Sequence, residues 1–66
     1  MRQIQVRRFT GKGSETETLA LAEAIQVAEQ AWKRGALVVD EDKEEAIQGI
    51  GPDVQRILIV NPIAGG

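Results

Sequence analysis

One stretch of this chain, residues 20–32, repeats its apolar residues with the period of a helix, and that period limits what the other residues can build. Ala20, Leu21, Ala24, Ile25, Val27, Ala28, Ala31 and Trp32 fall on one side when successive residues turn by about 100°. Glu23, Gln26, Glu29, Gln30 and Lys33 fall on the other. Upstream, Ser14 and Glu17 have capping-box spacing, in which each side chain takes up the other residue's free backbone amide. Downstream, Lys33 and Arg34 suit the negative end of a helix, and Gly35 supplies the left-handed residue that stops one. The spacing predicts one long helix over roughly 15–34, with Leu21, Ile25, Ala28 and a largely buried Trp32 against a sheet. Its alanines allow a close approach.

The rest of the chain has to supply that sheet. In RQIQVRRF, Arg2, Ile4, Val6 and Arg8 share one face while Gln3, Gln5, Arg7 and Phe9 share the other, which reads as a half-buried strand. TGKG then makes a turn. ALVV is a short buried strand, and in DEDKEEAIQG the spacing of Asp42 and Glu45 predicts one or two helical turns ending near Gly49. Ile47 and Ile50 would pin that segment to the core. After the GPD turn, Ile57, Leu58, Ile59 and Val60 run without alternation, so residues 54–61 read as a central strand buried on both faces. Pro62 cannot donate to a ladder and should end it. The expected fold is α+β: one small single-sheet domain over residues 1–61 with a helix packed on it, and a flexible, solvent-exposed tail at 62–66. A three-stranded β-α-β-(α)-β sandwich is the alternative.

Composition narrows the chemistry. The 66 residues contain no cysteine and no histidine, which removes disulfides, thiolate chemistry, most zinc or iron sites and the usual general base at neutral pH. No apolar run is long enough to span a membrane and none near Met1 resembles a signal peptide, so a cytoplasmic protein is expected. A protein with no catalytic residues, metal or cofactor of its own is the expectation. Five of the six residues from Asp40 to Glu45 are acidic. They lack the ligand spacing of a calcium loop and read as a solvated acidic surface rather than a metal site. Arg2, Arg7 and Arg8 form a basic start in a chain of net charge −2. They alternate along a strand without interleaved aromatics, which favours a solvated face or a protein-docking edge over nucleic acid.

The end of the chain, RILIVNPIAGG, joins an apolar strand to two bare glycines. From RGALVVDEDKEEAIQGIGPDVQRILIVNPIAGG, residues 34–66, the sequence resembles the ubiquitin-like sulfur carriers of thiamine and molybdopterin biosynthesis, the ThiS/MoaD family. That resemblance implies a β-grasp-like fold and a Gly66 carboxylate that a partner adenylyltransferase activates with ATP. Sulfur then replaces one carboxylate oxygen. The residues suit such a role. Gly65 and Gly66 have no side chains to obstruct a narrow channel, Ala64 is small, and Pro62 fixes the exit direction. The same RILIVNPIAGG is similar to the opening strand and glycine loop of diacylglycerol-kinase-like lipid kinases, where a long catalytic domain follows; a 66-residue chain is expected to lack it.

A second class of function stands beside the carrier. In it the chain is a small structural or protein-interaction module with no transfer chemistry, and the glycines are an incidental end. Its contact surface would be Arg2, Arg7 and Arg8, with a homodimer formed by the exposed first strand.

Overall fold

The computed structural model describes residues 2–10 and 13–61. The chain forms β1 (Gln3–Thr10), β2 (Gly13–Ala20), α1 (Leu21–Lys33), β3 (Leu37–Asp40), β4 (Glu45–Ala46) and β5 (Arg56–Val60). The strands form one mixed sheet in the order β2-β1-β5-β3-β4. β1 runs parallel to β5 and antiparallel to β2, while β3 is antiparallel to both β5 and β4. The domain is thus α+β, with α1 across one face of the sheet. The three-stranded alternative is overturned by β2 and β4.

The largest correction concerns residues 13–20. The expected helix from residue 15 begins at Leu21, and the segment carrying Ser14 and Glu17 is a strand paired with β1 along its whole length, from Gln3↔Ala20 to Thr10↔Gly13. Two physical reasons account for this. Ser14, Thr16 and Thr18 alternate with Glu15, Glu17 and Leu19, and β-branched threonine suits a pleated strand. A helix over 14–19 would also have had only Leu19 to bury, whereas a hairpin gives β1 a full ladder. Ser14 therefore caps nothing. Ala20 is the N-cap, with extended backbone and no side-chain bond, and the Leu21 amide is taken up by the Arg2 carbonyl at 3.1 Å.

The other end of α1 follows the sequence. Gly35 has φ +81°, the Gly35 amide donates to the Trp32 carbonyl at 3.0 Å, and the Ala36 amide donates to the Ala31 carbonyl at 2.9 Å. These two bonds make a Schellman motif, which satisfies carbonyls the helix end would leave orphaned.

Beneath α1, Ala24, Ala28 and Ala31 meet Ile4, Val6, Val38, Ile57 and Ile59, all buried. Leu21, Val27, Trp32, Ile47 and Ile50 pack around this centre as partly buried residues. Trp32 is half-buried rather than enclosed, and its indole N–H donates to the Ile47 carbonyl at 3.2 Å. A ring with a polar edge sits naturally at the rim of a core.

Two more expectations change. Residues 42–49 are not helical. The Asp40 carboxylate accepts the amides of Asp42 and Lys43 at 3.0 and 3.4 Å, so the turn is organised by an aspartate two positions earlier than expected. Glu44 then adopts φ +55°, which sends the chain back along β3 as β4. β5 is central, but only Ile57 and Ile59 are fully buried. Leu58 and Val60 are half-buried, because no described element covers the face away from α1.

Candidate functional site

Strand register assigns every side chain to one of two surfaces. Ile4, Val6 and Arg8 share the helix side with Ile57 and Ile59, while Gln5 and Arg7 share the open side with Arg56 and Leu58. Across the sheet the open side continues through Val39 and Leu37, which pair with Leu58 and Val60. It carries an apolar stripe, Leu37, Val39, Leu58 and Val60, with Leu37 56% exposed. Phe9, 55% exposed, lies on the same side at the end of β1.

The stripe reaches the place where the chain leaves the sheet. Asn61, the last described residue, follows β5 directly, and its side-chain carbonyl accepts a hydrogen bond from Arg34 Nη2 at 3.2 Å. This bond ties the strand end to the residue that closes α1. On the helix side of the exit, Arg8, Val27, Gln30, Lys33, Arg34 and Asn61 line part of an open cleft of about 810 Å³. The exit is therefore flanked by an apolar surface on one side and, on the other, a polar cleft of mixed charge, since Glu23 and Glu29 also line it. Pro62, Ala64, Gly65 and Gly66, the residues expected to carry the tail's role, lie outside the described residues.

The three arginines grouped in the sequence do not meet in space. Arg2 Nη2 donates to the Gly51 carbonyl at 2.8 Å and to the Val54 carbonyl, so its side chain holds the loop before β5. Arg7 lies on the open side, 6.0 Å from the centre of the Phe9 ring and 3.9 Å from the Glu41 carboxylate. Arg8 lies on the helix side, 3.5 Å from Glu17. β1 is also an inner strand, bonded to β2 and β5, so it offers no open edge for strand pairing between two copies. The edge strands are β2 and β4.

The acidic run is similarly dispersed. Asp40 is buried in its turn, Glu41 faces Arg7, and Asp42 faces Arg56 at 3.9 Å. Among the described residues no group of three acidic side chains could hold a metal ion, and no helix is long and apolar enough to cross a membrane. The apolar stripe of the open side was the feature that sequence reasoning missed. The uninterrupted run at 57–60 was its signal, since the one helix among the described residues covers a single face of the sheet. Comparisons with protein-family models, with curated proteins and with solved structures find no match for this chain.

Proposed function

We propose that this is a sulfur-carrier-like protein, β-grasp-like in fold, whose Gly66 carboxylate is adenylated and thiocarboxylated for cofactor biosynthesis. The observation that carries this reading is the chain's path. β5 is the middle strand of the order β2-β1-β5-β3-β4, it runs parallel to β1, and it delivers the chain directly into Pro-Ile-Ala-Gly-Gly. Five residues beyond Asn61 can span at most roughly 17 Å, so a carboxylate on Gly66 could enter a nucleotide site on another protein while the folded body stays outside.

The chemistry assigns little to this chain beyond presentation. The Gly66 carboxylate attacks the α-phosphorus of ATP and pyrophosphate leaves. Hydrosulfide, or a sulfur donor at the same oxidation level, then attacks the acyl carbon and AMP leaves, so that sulfur occupies the place of one oxygen with no change of oxidation state. The adenylyltransferase supplies the groups that stabilise both steps. The apolar stripe beside the exit supports docking of such a partner, because it would be covered as the tail is inserted.

Deletion of Gly66 is the test. The shortened chain should keep its fold by circular dichroism and lose ATP-dependent pyrophosphate release with the cognate adenylyltransferase. Its carboxylate ends one residue, roughly 3.3–3.6 Å, short of the nucleotide, and reaction geometry tolerates far less. Unchanged pyrophosphate release would remove the carrier role and leave the interaction module, for which the open apolar face is the supporting observation.

A further inference from the structure

β2 is an edge strand of eight residues, exposed from Gly13 to Thr18. The opposite edge, β4, has two residues. Long, regular edges recruit other strands unless something deters them. On β2 the deterrent is selective. The register Arg8↔Glu15 and Val6↔Glu17 puts both glutamates on the helix side, and the intervening Ser14, Thr16 and Thr18 on the open side.

That pattern rejects a second copy of the chain. Antiparallel self-pairing centred on Glu15, Thr16 or Glu17 sets a glutamate against a glutamate on one side of the joined sheet. Like charges directly opposite are destabilising. The same pattern favours a strand of the opposite kind, and the molecule already contains an example. β1 places Arg8 opposite Glu15 and within 3.5 Å of Glu17, which remains 60% exposed and can take a second cation.

We propose that β2 is a strand-addition site for an extended segment of another protein that carries lysine or arginine at every second position and small or β-branched residues between them. Main-chain bonds to the β2 edge supply affinity, the two glutamates select basic side chains, and the Ser14, Thr16 and Thr18 row accepts the small ones. This surface is separate from the strand exit and stands whether or not Gly66 is activated.

The probe is the peptide acetyl-TKVKVKT-amide, with acetyl-TEVEVET-amide as its acidic counterpart, titrated into the full chain and followed by amide shifts in NMR spectra. The basic peptide should move the amides of residues 13–20 and bind more weakly as salt is raised. Glu15→Lys with Glu17→Lys sets two cations against Arg8 and should lower the melting midpoint by several degrees with the fold retained by circular dichroism, while weakening that binding about tenfold, since two cross-strand charge pairs are lost. The double variant should then prefer the acidic peptide. Absence of binding at millimolar peptide, shifts centred away from β2, equal binding of both peptides, or self-association of the wild-type chain would each overturn the proposal.

Discussion

Arg2→Met should destabilise the protein far more than the same change at Arg7 or Arg8. Arg2 Nη2 bonds two carbonyls, Gly51 and Val54, of the loop that leads into the central strand. Hydrogen bonds from a charged donor are each worth about 1.5–3 kcal/mol net. Both bonds here come from one nitrogen on a half-buried side chain, so their combined loss is nearer 2 kcal/mol than the full sum. Methionine keeps most of the stem's packing and isolates the polar term. In a domain this small, 1 kcal/mol moves the midpoint by about 4–8 °C, so a fall of roughly 8–16 °C is expected. Arg7 stands 3.9 Å from Glu41 and Arg8 3.5 Å from Glu17, with both arginines substantially exposed. Such surface pairs contribute about 0–1 kcal/mol, and Arg7→Met and Arg8→Met should lie near the lower limit. Thermal and urea unfolding followed by circular dichroism would measure all three. Equal effects at the three positions, or an Arg2→Met midpoint within a few degrees of wild type, would refute the loop-holding role.

Two further predictions concern the rim of the core and the acidic turn. Trp32→Phe should cost about 1 kcal/mol for the bond to Ile47, and Trp32→Ala about 2–3 kcal/mol, below the usual value for an enclosed aromatic because the ring is half-buried. Urea unfolding gives both, and equal stability of the two variants would show that packing of the six-membered ring contributes nothing. Glu44→Gly should raise stability by about 0.5–1 kcal/mol, because Glu44 holds φ +55° and glycine relieves the left-handed strain at a smaller cost in unfolded-chain entropy. A lower melting temperature in that variant would place the turn's stability in the glutamate side chain.

The sequence carried the buried parts of the fold more clearly than the exposed ones. Ile4, Val6, Ile57, Ile59 and the alanines of α1 stand in unambiguous periods, and burial enforces those periods. Residues 14–18 have no buried member, so local spacing suggested a helix cap where pairing with β1 decided the outcome. Asp42 misled for a related reason: Asp40, as a buried residue of β3, was already in place to organise the turn. Long-range contacts of this kind leave no local signature. Nor could spacing along one strand reveal that Arg2 bonds a loop about fifty residues away, as it does at Gly51 and Val54. For the exit of the chain the reverse holds. Pro62 and the two glycines are visible in the sequence, and the structure adds the central position of β5 and the flanking apolar stripe.

Intact-mass analysis of the protein purified from its native host tests the carrier proposal most directly. A fraction of molecules should end at Gly66 and show the increment for exchanging one oxygen for sulfur, and that fraction should vanish when Gly66 is deleted. A wholly unmodified protein beside an active cognate adenylyltransferase would contradict the proposal.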